Sequence, residues 1–124
     1  MNNLLVPKTK NTLGVNFDSS SGLLELSGSS YPENTSEFFK PLIDWIQQYF
    51  LEVTGKLELV IKIDYLNSRS IKYLSDMIDK LDNYHKSGGK VELKWYHKED
   101  DEDIMEMGEE IKEDVTFPFT IISA

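Results

Sequence analysis

Short hydrophobic runs with two different periods follow one another along the chain. In residues 13–17 and 23–27, apolar and polar side chains alternate, which is the pattern of half-buried β-strands. Between them, residues 18–22 read Asp-Ser-Ser-Ser-Gly, a composition typical of a turn. The two segments therefore predict a β-hairpin with a loop over 18–22.

Three later stretches place apolar residues at helical spacing and predict helices at about 38–52, 69–86 and 101–113. The threonine–serine pair at 35–36 contains the expected N-cap of the first helix. Because Pro41 lies early in that helix, its first turn is expected to be separate or distorted.

Further strands are predicted at 57–63, 90–97 and 117–122. The first is the most apolar and is the best candidate for a central strand, whereas Pro118 makes the last an edge strand or an irregular one. The order β-β-α-β-α-β-α-β predicts an α/β fold, with one mixed, mostly parallel sheet, right-handed crossovers and about three helices. A length of 124 residues fits a single domain over residues 1–124.

Composition excludes several classes of function. The chain has no cysteine, which excludes disulfides and thiolate chemistry, and two histidines are too few for a three-histidine metal site. No apolar run approaches the ~20 residues that a membrane helix needs, and the N-terminus lacks the features of a signal peptide. We therefore expect a cytoplasmic protein without membrane insertion. The net charge of −9 argues against nucleic acid as a partner.

The negative charge is concentrated in one segment. Residues 99–114 contain ten acidic side chains and one lysine, and the rest of the chain is neutral. A solvated helix face is the main interpretation, and a docking surface for a basic partner is the alternative. Asp101 and Asp103 superficially resemble a calcium loop, but the remaining loop positions do not match. We predict no metal site and no cofactor.

The strongest candidate for a functional site is the connection between the central strand and the second helix, which reads Tyr-Leu-Asn-Ser-Arg-Ser over residues 65–70. Ligands and partners usually bind at this edge of an open α/β sheet, and a helix start favours an anionic group. A phosphorylated Ser68 would meet free N–H groups and the nearby cations Arg69 and Lys72. The alternative is that Asn67 or Ser68 is only a helix cap.

Two residues in the loop after the hairpin, Tyr31 and Glu33, are further candidates for partner binding. They could equally fix the loop to the sheet, and both interpretations remain open. A small enzyme that uses carboxylates such as Asp64 is the weakest hypothesis, because no acid, base and nucleophile converge in the sequence. We predict no catalytic residue.

The chain contains GSSYPEN at 28–34, FFKPLIDWIQQYF at 38–50, YLNSRSIKYL at 65–74 and VELKWYHKEDDEDIMEMGEE at 91–110, followed by the ending FPFTII. These ordered segments resemble the SiaC family of regulatory phosphoproteins. The resemblance extends over nearly the whole chain.

The resemblance implies a fold similar to the STAS domain of anti-sigma-factor antagonists, and partner switching without catalysis. In this scheme a serine/threonine kinase phosphorylates one hydroxyl at the start of the second helix, and a phosphatase removes the phosphate. The unphosphorylated form binds and activates a diguanylate cyclase, which makes cyclic di-GMP, a regulator of biofilms. The family's phosphoacceptor threonine falls on Ser68, and Arg69 replaces a small serine. The expected partner-binding residues are Tyr31, Glu33, Asn67, Ser68, Arg69, Ser70 and Lys72.

A constitutive interaction module of the same fold, never phosphorylated, is the main alternative to the switched adaptor. The departure at Arg69 from the family pattern favours this alternative. Mass spectrometry of protein purified from its native host, which shows whether it is phosphorylated, distinguishes the two functions.

Overall fold

The structure, a computed structural model, describes residues 1–124. The strands are Leu4–Val6 (β1), Gly14–Phe17 (β2), Leu23–Ser30 (β3), Leu57–Leu66 (β4), Val91–His97 (β5) and Phe119–Ser123 (β6). The helices are Thr35–Glu52 (α1), Ser68–Lys86 (α2) and Glu102–Glu113 (α3).

All six strands form one sheet in the order β1-β2-β3-β4-β5-β6. β1, β2 and β3 pair antiparallel, whereas β3, β4, β5 and β6 are parallel neighbours. The predicted α/β class, opening hairpin and mostly parallel sheet are confirmed. β4 lies between β3 and β5, as predicted for the most apolar strand, and β6 lies at an edge.

The three helices cover only one face of the sheet. Each crossover leads to the next strand in the same direction, and right-handed crossovers of this kind place all the helices on one side. Leu26, Ile61 and Trp95, which are neighbours on three adjacent strands, belong to a core of 24 buried residues that includes side chains from all three helices. α2 contributes an apolar stripe to this core, which includes Leu74 and Ile78.

The opposite face of the sheet, called here the uncovered face, carries polar side chains that contact one another. Lys94 Nζ lies 2.7 Å from Glu58 Oε1, and Lys62 Nζ lies 5.3 Å from the ring centre of Tyr96. Glu58 and Lys62 alternate along β4 with core residues, so the alternation in the sequence reflects a sheet that is packed on one side.

The first helix begins earlier than predicted. Its cap is Asn34, whose Oδ1 accepts a hydrogen bond of 3.3 Å from the N–H of Glu37. Pro41 lies inside the helix and is exposed, while Thr35 and Phe39 are buried and tie the preceding turn to the core. The predicted separation at Pro41 is therefore wrong, because capping and packing outweigh the loss of one helical hydrogen bond.

The two edges of the sheet also differ from the predictions. β1 is an additional strand of three residues, and its Leu5 is 67% exposed, so its hydrophobic pattern is too short and weak to indicate a strand. β6 begins at Phe119 and not at residue 117. Pro118 lies just before it, and its carbonyl accepts a hydrogen bond from the N–H of Leu93. Proline, which has no N–H to donate, thus lies outside the strand itself.

The acidic segment forms α3, which packs on β5 through a tryptophan. Asp101 caps the helix by accepting a hydrogen bond of 3.1 Å from the N–H of Ile104. The Trp95 indole donates to Ile104 O at 2.9 Å, and Gly108 leaves room for the indole ring. Ile104 is buried, whereas Ile111 is only half-buried. The exposed carboxylates lie on the other side of the helix.

One buried carboxylate joins α2 to the segment before β6. Asp82 Oδ1 accepts hydrogen bonds from Thr116 N at 2.7 Å and from Thr116 Oγ1 at 2.8 Å, and Asp82 Oδ2 lies 3.2 Å from Lys86 Nζ. Burial acts to raise the pKa of Asp82, but the hydrogen bonds from Thr116 and Lys86 outweigh it and hold the pKa below its ordinary value.

We expect Asp82→Asn to lower the free energy of unfolding by about 1–2 kcal/mol at neutral pH, because a neutral amide accepts weaker hydrogen bonds than a carboxylate. A carboxylate whose pKa is lowered on folding stabilises the protein above its unfolded-state pKa and loses this effect as the pH falls through the folded-state pKa. The difference in the free energy of unfolding between the wild-type protein and Asp82→Asn should therefore shrink below about pH 4. Urea unfolding over a pH series measures it, with the exposed Asp76→Asn as the control. A difference that does not change with pH would contradict the role of the charge.

Candidate functional site at the start of the second helix

The start of α2 is fixed by its cap and by the end of β3. Asn67 Oδ1 accepts a hydrogen bond of 2.9 Å from the N–H of Ser70, and the Asn67 N–H donates to Ser30 O at 3.0 Å. Ser68 is the first helical residue and is exposed. Asn67 is thus the cap, as one interpretation of the sequence predicts, and the Ser68 hydroxyl is left free. An anion on it would meet the positive end of the helix dipole.

The second serine of this turn is in a different environment. Ser70 is fully buried, its Oγ lies 2.7 Å from Ser30 Oγ, and it donates to Ser30 O at 3.2 Å. The expectation that Ser70 contacts a partner is corrected, because its side chain is directed into the protein and binds α2 to β3. Ser68 is therefore the accessible hydroxyl of this turn.

Two cations follow Ser68 on the helix surface. Arg69 and Lys72 are exposed, and neither takes part in any of the five ion pairs of the protein. Lys72 lies one helical turn after Ser68, so both side chains project from the same side of α2. The site combines a hydroxyl, unpaired cations and a helix start, which together suit an anionic group.

An exposed aromatic pair lies beside this helix start. The ring centres of Tyr31 and Tyr65 are 6.0 Å apart in an edge-to-face arrangement, and the residues are 40% and 53% exposed. The N–H of Tyr31 donates to Asn11 O at 2.9 Å, so the backbone is anchored while the ring remains available to a partner. Glu33, in the same loop, is exposed.

A β-bulge accounts for the exposure of Tyr65, which the sequence does not predict. Gly28 pairs with Ile63 and Ser29 pairs with Tyr65, so Asp64 has no opposite residue on β3. Two consecutive residues of β4 therefore face solvent, and the next residue, Leu66, returns to the core. Simple alternation from Leu57 onward would have placed Tyr65 in the core. The pairing of the strands, and not the sequence pattern, determines this position.

Four acidic side chains at the start of the acidic segment, Asp100, Asp101, Glu102 and Asp103, line an open surface depression together with Lys98. No group of three or more histidine or acidic side chains is arranged to hold a metal ion. None of the helices combines the length and hydrophobicity needed to span a bilayer.

Comparison with known proteins assigns the family. Residues 6–124 match the family described as "SiaC family regulatory phosphoprotein". The chain belongs to the SiaC family. An uncharacterized protein of Pseudomonas aeruginosa strain UCBPP-PA14 is 38% identical over 121 residues, which cover 98% of this chain and 96% of the relative.

Solved structures give the same assignment. SiaC of Pseudomonas aeruginosa is 36% identical, covers 100% of both chains and superposes with a TM-score of 0.95. A chain in the crystal structure of the diguanylate cyclase SiaD in complex with its activator SiaC is 37% identical, covers 98% of this chain and 99% of that one, and gives a TM-score of 0.94. The predicted resemblance is confirmed. A SiaC family member is a regulatory protein and not an enzyme, which also agrees with the prediction.

Proposed function

We propose that this chain is a cytoplasmic, non-catalytic signalling adaptor that binds and activates a diguanylate cyclase, and that phosphorylation of Ser68 switches it. The observation that carries the proposal is the likeness to a chain of the complex in which SiaC is the activator of SiaD. The exposed hydroxyl of Ser68 at a helix start supports the choice of this residue as the switch.

The switch requires two enzymes that act on the same oxygen. A serine/threonine kinase transfers the terminal phosphoryl group of a nucleoside triphosphate to Ser68 Oγ, the hydroxyl loses its proton and the nucleoside diphosphate leaves. A phosphatase then hydrolyses the phosphate ester with water, which restores the hydroxyl and releases phosphate. Burial excludes Ser70 and Ser30 as acceptors in the folded protein, since both are 0% exposed.

Mass spectrometry of the protein purified from its native host tests this function. We expect a phosphorylated fraction that maps to Ser68, disappears in Ser68→Ala and persists in the control Ser70→Ala. In pull-downs from native lysate, we expect both the wild-type protein and Ser68→Ala to capture a diguanylate cyclase. Recovery of no cyclase with either protein would contradict the proposed partner.

A constitutive module is the second candidate, and it is favoured by one residue. Arg69 is a large exposed cation directly after Ser68, where the family pattern has a small serine. A kinase that binds this turn would have to accommodate the guanidinium of Arg69. If Ser68 carries no phosphate under any growth condition while the cyclase still binds, the constitutive function is the correct one.

The aromatic pair should contribute to the partner interface. Tyrosines are frequent among the residues that contribute most to the binding free energy of an interface. Truncation of such a residue near the centre of the interface typically costs about 2 kcal/mol or more of binding free energy. We expect Tyr65→Ala to weaken cyclase binding about 30-fold. Calorimetry measures the affinity. The matched control is Leu51→Ala, an apolar residue that is 78% exposed near the far end of α1. Equal losses in both variants would show that the pair has no special role.

A further inference from the structure

A small groove separates the first turns of α1 and α2. It has a volume of about 230 Å³. The residues that line it come from the two helix starts: Asn34, Thr35, Ser36, Arg69, Lys72 and Tyr73. The groove is therefore continuous with the turn that carries Ser68, although Ser68 itself is not part of the lining.

The electrostatic character of this groove is positive. The N-termini of two helices flank it, and each carries unpaired N–H groups and a partial positive charge. Arg69 and Lys72 add two full charges that no carboxylate pairs. The neighbouring acids Glu33 and Glu37 do not line it. The groove therefore favours an anionic ligand, although the whole chain has a net charge of −9.

One lining residue carries a polar group that has no partner. Thr35 is 3% exposed, and its hydroxyl is the single buried side-chain polar atom of the protein without a hydrogen bond. Buried hydroxyls are normally hydrogen-bonded, because leaving one unpaired is costly. A ligand in the groove with several acceptor oxygens would offer the Thr35 hydroxyl the acceptor that the chain does not.

We propose that this groove is a phosphoryl-binding site formed by both helix starts, and that it receives the phosphoryl group of Ser68 after modification. The proposal rests on the proposed function for the source of the phosphoryl group. Ser68 lies directly before Arg69 and one turn before Lys72, so the added group extends from the rim of the groove. A tetrahedral phosphate has three oxygens for the donors of the lining. The bound phosphate would join α1 to α2, which makes α1 part of the switch.

The first experiment uses inorganic phosphate and the unmodified protein. We expect its addition to shift the backbone amide NMR signals of Thr35, Ser36 and Arg69 in a saturable way. Thr35→Val, which has nearly the same shape, should weaken this binding about tenfold, because one hydrogen bond to a charged acceptor is lost. The unmodified Thr35→Val protein should be at least as stable as the parent, since its hydroxyl has no partner to lose. Phosphate that shifts no amide of the groove overturns the site.

The second experiment uses protein that carries phosphoserine at position 68, installed during translation so that no kinase is needed. We expect 31P NMR titration to give a phosphoserine pKa roughly one unit below the usual value of about 6, because nearby cations favour the dianion. Lys72→Gln and Thr35→Val should raise that pKa, whereas Lys80→Gln, further along α2, should leave it unchanged. A pKa equal to that of a free phosphoserine peptide overturns the proposal.

Competition identifies the source of the anion. If the phosphoryl group of Ser68 occupies the groove, added phosphate should no longer shift the signals of Thr35 and Ser36 in the phosphorylated protein. Shifts of the same size in both forms would show that the groove binds free phosphate only and would overturn the connection to Ser68. None of these three experiments contains a cyclase, so failure of the groove and failure of the adaptor function are distinguishable.

Discussion

Phosphorylation of Ser68 is expected to weaken binding to the cognate diguanylate cyclase by about 30-fold or more. The modification adds about −1.5 to −2 charges and a bulky group at an exposed position beside the aromatic pair. In a packed interface that charge must lose its water without a matching cation on the partner. In the free protein it is instead stabilised by the helix start and by Arg69. Both effects favour release.

Calorimetry with the purified cyclase and three forms of the protein measures this effect. Ser68→Ala should bind as well as the unmodified protein, Ser68→Asp should bind more weakly, and phosphoserine at 68 should bind most weakly. The effect of aspartate is expected to be partial, because one carboxylate carries less charge than a phosphate. Ser87→Asp is the matched control, since it adds the same charge at the other end of α2.

Equal affinities for the unmodified protein, Ser68→Asp and the phosphorylated form would contradict the switch. The constitutive module would then describe the protein. If Ser87→Asp lowers the affinity as much as Ser68→Asp does, net charge and not the position of Ser68 determines affinity.

The second large effect is expected for Gly22→Ala, which should lower the free energy of unfolding by about 3 kcal/mol or more. Gly22 ends the hairpin loop with φ +74, a conformation that costs an alanine energy. A methyl group there would also clash with the carbonyl oxygen of Lys56. That oxygen accepts the hydroxyl of Tyr49, and Gly22 O accepts the N–H of Glu58 at the start of β4. The clash therefore separates the hairpin from β4.

Gly88→Ala provides the matched control for this prediction. Gly88 has φ +103, but a methyl group added there meets no atom within 4 Å. It should cost only the conformational part, about 1–2 kcal/mol. Urea unfolding of both variants separates the clash from the strain. Equal losses would show that the contact with Lys56 is relieved by a small shift of the chain.

The fold was largely predictable because the chain keeps two clear hydrophobic periods. The alternation in residues 57–63 and the helical stripe of α2 each determine one buried face, and the order of the elements then leaves few topologies. Pairing across the sheet was not predictable in the same way. The bulge at Asp64 depends on the register between β3 and β4, so no local pattern indicates that Tyr65 is exposed.

The candidate site was predictable in its position and less so in its details. Asn67 and Ser68 follow an apolar strand and precede a helical stripe, which is enough to place them at the carboxyl edge of the sheet. Ser68 is exposed and Ser70 is buried, and the local sequence does not determine this difference. Ser70 is directed into the protein, where it meets Ser30, which is distant in sequence but lies at the end of the neighbouring strand β3. The groove beside Thr35 also depends on the packing of α1 against α2.

The uncovered face of the sheet offers a position for a spectroscopic label on the side opposite to the helices. Asn16 is exposed on β2 and is paired with Leu5 and Glu25 on the neighbouring strands. Because the chain contains no cysteine, Asn16→Cys would introduce a unique thiol. A fluorophore coupled there would tumble with the whole sheet, and its anisotropy would rise when the adaptor joins a larger complex. The groups around Ser68 would remain chemically unaltered in such a measurement.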